Sequence, residues 1–294
     1  MEPLRALQSD RKTLVMAILN LTPDSFSDGG LNYPKNMHND FSLLQDLSDR
    51  IFNFIHAGAV IIDIGGQSTA PGVAQVSADE EISRTIRVIQ FLKDRPKFPK
   101  GVAISIDTYR SSVAVAAVEA GASIINDVSG GQMDPQMLST MARLGTTVCL
   151  MHMRGTPETM NSLTDYSPAG LIPTIAQELL DRVAAAEAAG IRRWRIILDP
   201  GIGFAKTGQQ NLEILRRFDE LRDWPGLRGL PWLMGSSRKN FVGKITGVKQ
   251  ANQRTWGTAA TVAAAVQGGA DIVRVHDVEE MAQVAKMSDA IWRI

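Results

Sequence analysis

Short apolar runs rich in β-branched residues alternate along this chain with longer segments of helical periodicity. Strand-like runs fall at 14–19 (LVMAIL), 60–64 (VIIDI), 102–106 (VAISI), 123–126 (SIIN), 146–151 (TTVCLM), 195–198 (RIIL), 231–235 (PWLMG) and 271–275 (DIVRV). They are mostly apolar throughout rather than alternating, which is the pattern of parallel strands buried on both faces. Helical periodicity occupies 41–57, 78–94, 110–120, 134–144, 169–189, 209–223, 252–267 and 277–290. Asp79-Glu80-Glu81 and Asp277 with Glu280 mark helix starts, and Gly58, Gly121, Gly145 and Gly190 mark ends. Eight alternations without a break in composition predict one α/β domain over 1–294, a TIM (β/α)8 barrel with 1–12 as an N-terminal extension. A doubly wound open sheet is the alternative, but its G-x-G-x-x-G fingerprint is absent after the first strand. The long loops 20–40, 65–77 and 236–251 all follow strands, where the chemistry of such a barrel is placed.

The residues at those strand ends are polar in every case. In order they are Asn20; Asp63-Ile64-Gly65-Gly66; Asp107-Thr108; Asn126-Asp127; His152 and Arg154; Asp199-Pro200-Gly201; Ser236-Ser237-Arg238-Lys239; and Arg274-Val275-His276-Asp277. Any one of them suits a helix cap or a turn. Eight converging on one mouth predict a ligand site. Carboxylates and amides come from strands three, four and six, and cations from strands seven and eight, which suits a ligand with a flat donor-rich end and an anionic end. Asp107, Asn126 and Asp199 are expected to bind an amino-substituted heterocycle, with Lys239 as a point donor to a ring carbonyl or nitrogen. Arg274 and His276, with Asn20, are expected at a diphosphate, and Asn20, Asp24 and Asp28 are hard oxygen donors of the kind Mg²⁺ uses beside phosphate. Asp63 stays open between a ligand role and the shaping of the Gly65-Gly66 turn, and His152 reads as a packed rim residue.

Composition narrows the partners. Lys plus Arg and Asp plus Glu both number 31, so there is no basic excess to draw nucleic acid or a membrane surface. The single cysteine, Cys149, lies in an apolar run and reads as a core thiol, and a cytosolic protein or a piece of a longer chain is expected. Four histidines and one cysteine make no zinc spacing. The Ala-rich segment 252–267 permits close helix packing in the barrel wall or across a dimer.

Seven segments, NLTPDSFSDGG, DIGGQSTAPG, SIDT, INDVSGG, LDPGIGFAK, GSSRK and RVHD, together resemble dihydropteroate synthase over residues 13 to 290. The resemblance implies a TIM barrel joining 6-hydroxymethyl-7,8-dihydropterin diphosphate to 4-aminobenzoate, with Mg²⁺ as cofactor and a homodimer as the common assembly. By position it implies pterin contacts for Asp107, Asn126, Asp199 and Lys239, and Arg274 against the pterin face. It implies diphosphate contacts for Arg274, His276 and Asn20, and Mg²⁺ at Asn20 and Asp28. Phe26, Thr69, Pro71, Phe204, Ser237 and Lys239 fall where that family builds its aminobenzoate pocket. Two positions depart from the pattern: Ala70 stands where many members carry arginine, and Gln67 where bacterial members carry glutamate. The stretch from 192 to 243 resembles the fungal branch, in which this activity is often the last domain of a larger folate enzyme. A methyl-folate methyltransferase, a Schiff-base aldolase using Lys239 and a non-catalytic pterin-binding domain are the rival readings.

Overall fold

Side chains alternate between the two faces of a strand, so one set of every strand must point at the barrel axis and the other at the helices. The computed structural model describes residues 11–22, 41–68 and 73–293. Its strands are β1 (Leu14–Asn20), β2 (Ala59–Gly65), β3 (Ala103–Asp107), β4 (Ile124–Asp127), β5 (Thr147–Met151), β6 (Ile196–Asp199), β7 (Leu233–Met234) and β8 (Ile272–Val275). All pair in parallel in the order β6-β5-β4-β3-β2-β1-β8-β7, and a parallel bridge between Leu198 and Trp232 joins the two ends. The sheet therefore closes into the (β/α)8 barrel expected from the alternation, and helices Phe41–Ala57, Ala78–Lys93, Ser111–Ala120, Met137–Leu144, Leu171–Ala188, Gly208–Arg216, Thr255–Gly268 and Val278–Trp292 cover it.

One buried residue from each strand fills the barrel interior: Met16, Ile61, Ala103, Ile124, Cys149, Ile197, Leu233 and Ile272. Cys149 is thus a core thiol, and burial pushes its pKa well above the usual value. The alternate set, including Ala17, Ile62, Ile104, Ile125, Leu150, Leu198 and Val273, packs under the helices in a second, larger core. Each such aliphatic chain contributes roughly 1.5–3 kcal/mol on burial. Counting two residues on from the interior level brings Asp63, Ser105, Asn126, Asp199, Gly235 and Arg274 to the axis, and two more bring Asn20, Asp107, Ser237 and His276. The polar mouth is the continuation of the same inward phase.

Three boundaries differ from expectation. The helix expected over 209–223 breaks at Arg217 (φ −118°, ψ 25°), and a short second helix, Phe218–Arg222, follows. The break lets Phe218 turn inward to meet Trp232 edge-on at 5.4 Å. Strand seven is only two residues long, because Pro231 has no N–H to give the sheet and Gly235 already turns past Asp199. The loop 236–251 carries a helix, Asn240–Thr246, that the apolar pattern did not announce. No described helix is long and apolar enough to cross a membrane.

Candidate active site

The loop after β6 is built from backbone that few residues tolerate. Gly201 has φ +70°, and a Cβ there would sit 2.0 Å from the His152 carbonyl oxygen, so no side chain fits. Its N–H donates to Asp199 Oδ1 at 2.7 Å, and the His152 N–H donates to the Asp199 carbonyl at 2.9 Å. Ala205 also lies at positive φ (49°), with its carbonyl held by the Tyr166 hydroxyl at 3.0 Å. So tied, the loop presents Phe204 to the mouth, and Lys239 Nζ lies 4.2 Å from the centre of its ring.

At the floor of the mouth runs a hydrogen-bonded chain. Asn126 Nδ2 donates to Asp63 Oδ2 (3.0 Å), Arg274 Nε donates to the same oxygen (2.6 Å), and an Arg274 terminal nitrogen donates to Asp107 Oδ2 (2.6 Å). Burial alone would lower the Arg274 pKa, but the two carboxylates more than offset that and hold the guanidinium charged. Asp63 is fully buried with Oδ1 unpartnered, so it belongs to the site rather than to the turn after β2. Its inward phase, two residues beyond Ile61, is the signal in the sequence that decides between the two roles.

Above the floor opens a cavity of about 590 Å³ whose lining includes Asn20, Asp107, Phe204, Ser237, Lys239, Arg274 and His276. Asn126 and Asp199 are almost wholly buried beside it, Asn126 hydrogen-bonded to Asp63 and Asp199 with its second oxygen toward Gly235. Burial raises the Asp107 pKa, against the attraction of Arg274 and with the repulsion of Asp63, Glu81 and Asp127. Burial also pushes Asp199 up to about 6, opposed by the Gly201 N–H, Lys239, Arg274 and Lys206. Burial and Arg274 bring Lys239 down to about 8, with Asp199 and Asp107 opposing.

His276 was expected among the cations. Burial, with Arg238, Arg274, Lys239 and Arg50 around it, brings its pKa down to about 3, so the imidazole is neutral and contributes dipole and hydrogen bonding rather than charge. Its Nδ1 lies 3.0 Å from Ser237 Oγ, and its backbone N–H donates to the same oxygen at 3.2 Å. Gln67 holds the base of the loop that follows β2, donating to the Ser68 carbonyl (2.7 Å) and accepting from Val76 N (2.6 Å). A glutamate there would accept but not donate.

The structure thus brings Asp107, Asn126, Asp199, Lys239, Arg274, His276, Ser237, Phe204 and Asn20 to one end of the barrel. Asp24, Phe26, Asp28, Thr69 and Pro71 lie outside the described residues. Lys206, absent from the sequence-based site, is buried and lines the same cavity. Among the described residues, no three or more His, Cys, Asp or Glu side chains cluster to hold a metal. A hard cation taking most of its ligands from a diphosphate and water needs only one or two protein oxygens, and the Asn20 carboxamide at the cavity wall suits it.

The profile of the pterin binding enzymes matches residues 16–276. A folic acid synthesis protein of Pneumocystis carinii is 53% identical over 281 residues, covering 96% of this chain and 36% of that protein. The chain therefore spans about a third of that longer relative. A dihydropteroate synthase of Synechocystis sp. is 47% identical over 283 residues, covering 96% of this chain and 91% of that one. The crystal structure of the Clostridium difficile dihydropteroate synthase, determined in the presence of pteroic acid, superposes with a TM-score of 0.84 at 39% identity, covering 97% of this chain and 98% of that one. With a barrel matched nearly end to end at these identities, the chain belongs to the pterin binding enzyme family and stands within it among the dihydropteroate synthases.

Proposed function

We propose that this chain condenses 6-hydroxymethyl-7,8-dihydropterin diphosphate with 4-aminobenzoate, giving 7,8-dihydropteroate and diphosphate. The observation that carries the reading is the floor chain Asn126–Asp63–Arg274–Asp107 beneath a cavity flanked by Lys239 and Phe204. Carboxylate and amide acceptors suit the N–H groups of the pterin edge, and Lys239 suits its carbonyl or ring nitrogen. The Phe204 ring offers a face for the aryl group, beside Ser237.

An arylamine is a modest nucleophile, so the residues are assigned mainly to the leaving group. The exocyclic C–O bond breaks with its electron pair going to the diphosphate. Arg274 stabilises that charge, and His276 and Asn20 orient the departing oxygens. Buried Asp107 and Asp199 favour positive charge developing at the methylene carbon, which the amine nitrogen then captures. Phe26, Thr69 and Pro71 are assigned to covering the mouth against water. Mg²⁺, held by Asn20 and Asp28, would supply neutralisation of the diphosphate. Incubation with the pterin diphosphate, labelled 4-aminobenzoate and Mg²⁺ is expected to yield labelled dihydropteroate, with much less when the metal is removed by chelation. No labelled product would reject the condensation, and an unchanged rate after chelation would reject the metal.

A homodimer is proposed as the assembly. On helix Thr255–Gly268 Trp256 is 86% exposed, one turn from Ala260, and Ala260 and Ala264 line a groove of about 550 Å³ with Leu212 and Leu215. Sedimentation at micromolar concentration is expected to show a dimer that Trp256→Glu weakens; a monomer in the unmodified protein would reject it. A reducing, cytosolic compartment suits the lone core thiol, to be checked by fractionation.

A further inference from the structure

Lys206 is a buried ammonium group for which the condensation as described has no use. Its Nζ lies 2.9 Å from the Phe204 carbonyl oxygen and 2.9 Å from His152 Nδ1, both uncharged acceptors. Taking an ammonium out of water without a hydrogen-bonded carboxylate is costly, and a neutral donor would pin the loop as well. On its other side His152, 2% exposed, sets Nε2 at 2.8 Å from Glu178 Oε2. Arg154 holds that carboxylate with bonds of 2.5 and 3.0 Å to Oε1 and 3.1 Å to Oε2. Glu178 and His152 line a separate groove of about 280 Å³, whereas Lys206 lines the active-site cavity. Three side chains in direct contact thus connect the reaction cavity with a second opening.

We propose that Lys206, His152 and Glu178 form a proton-exit relay for the proton released from the arylamine nitrogen. The inference rests on the condensation proposed above. As the nitrogen lone pair forms the C–N bond and the diphosphate leaves with the C–O pair, the nitrogen holds one proton too many. In its neutral form Lys206 can donate two N–H groups, to the Phe204 carbonyl and His152 Nδ1, and its remaining lone pair is the acceptor for that proton. The protonated amine passes a proton to His152 Nδ1 while the Nε2 proton moves to Glu178 and on to water, and the lysine is neutral again. The ring, left with its proton on Nδ1, returns to the Nε2–H tautomer by giving up that proton and taking one back at Nε2 from water through Glu178 before the next turnover.

The resting charge states leave each acceptor open, and since each group along the relay is a weaker base than the last, loss of the proton to water at Glu178 is what draws it outward. Burial brings Lys206 down to about 7; Asp199 and Glu178 oppose, and Arg154 and Lys239 add to the lowering. Burial and Lys206 bring His152 down to about 4, against Glu178, so the ring rests neutral with Nε2–H toward the carboxylate. Glu178 rests ionised at about 2, because the bonds from His152 and Arg154 outweigh its partial burial. A group that accepts a proton must be neutral, so activity rises with pH through the Lys206 titration.

The test is kcat against pH for the unmodified protein, Lys206→Met and His152→Gln, with 4-aminobenzoate affinity measured alongside. In the unmodified protein kcat is expected to rise through about pH 7. Lys206→Met should lose that rise, fall by about tenfold or more, keep its 4-aminobenzoate affinity, and recover rate with added methylamine. His152→Gln should keep the Lys206 limb but become dependent on buffer concentration. A Lys206→Met enzyme with unchanged kcat, or with the acid limb intact, overturns the relay. So does a rate loss that follows lost 4-aminobenzoate affinity and is not rescued by the amine, since that is the signature of a loop pin. In the ligand-free protein, the ring ¹⁵N shifts of His152 should inflect where Lys206 titrates and lose that inflection in Lys206→Met. No inflection overturns the relay whatever the enzyme makes. An inflection without dihydropteroate formation rejects the condensation, and with it the source of the proton.

Discussion

Lys239→Ala is expected to lower kcat/KM for the condensation by about 10²- to 10³-fold while the barrel stays folded. The half-buried ammonium lies against the Phe204 ring at the cavity wall, in the field of the Asp199 and Asp107 carboxylates, so a substrate group filling the cavity bonds it with little water near. A charge-assisted hydrogen bond in such a place is worth about 1.5–3 kcal/mol, and more where charge develops during the reaction. Lys239→Met keeps most of the volume and removes only the charge, so it should lose nearly as much. Lys239→Arg should not restore the rate, because a planar fork cannot replace a point donor above a ring. The lysine acts while protonated, so activity that depends on it falls as pH rises past about 8. With Lys206 needed neutral, the profile is bell-shaped and narrow, and each lysine variant removes one limb. Steady-state kinetics across pH, with circular dichroism to confirm the fold, decide the matter; near-normal turnover in Lys239→Met removes the assignment.

How far the chain could be read before its structure follows from what each signal encodes. Parallel strands buried on both faces must be apolar, and glycines must end the intervening helices, so the eight-fold alternation was plain. The polar residue after each strand was equally plain, and although any one suits a cap or a turn, eight at the same end of a barrel do not. What a linear pattern lacks is depth and partnership. Asp63 sits inside an apolar run just before Gly65-Gly66, which left its role open between ligand and turn, and its inward phase brings it between Asn126 and Arg274. His276 carries the side chain of a cation, but burial, with Arg238 and Lys239 brought in from the loop after β7 and Arg274 two residues before it, makes it neutral. Lys206 ends the segment LDPGIGFAK with no role visible in the sequence, because its partner His152, and the Glu178 beyond it, belong to other elements. The break at Arg217 depends on the contact of Phe218 with Trp232, which helical periodicity does not contain.

Arg254→Ala is expected to damage stability and turnover together, which separates it from the lysine variants. Arg238, beside Lys239, holds a left-handed backbone conformation (φ 59°) that a residue with a Cβ adopts at a cost of about 1–3 kcal/mol. Such strain persists only where the surroundings over-determine it. Here the surroundings are Arg254, whose guanidinium donates to the carbonyls of Arg238 (2.8 Å), Val248 (3.1 Å) and Lys249 (2.6 Å) and to Asn240 Oδ1 (3.2 Å). Thr258 accepts from the Arg238 N–H, and Asp277 pairs with the Arg238 side chain at 2.5 Å, but neither reaches the far end of the loop. Truncating Arg254, only 9% exposed, removes four hydrogen bonds at once and, among the described residues, the one side chain seen to join residues 238 and 249. The expected cost is about 3 kcal/mol, a fall in Tm of roughly 5 °C for a chain of this length. A displacement of Lys239 by an ångström then lowers kcat by about 10²-fold. Arg254→Lys, with one flexible nitrogen for four acceptors, should recover only a part of either loss. Thermal unfolding and single-turnover kinetics on the same samples test the link: wild-type Tm with reduced kcat, or the reverse, would show that the loop is held by something other than this guanidinium.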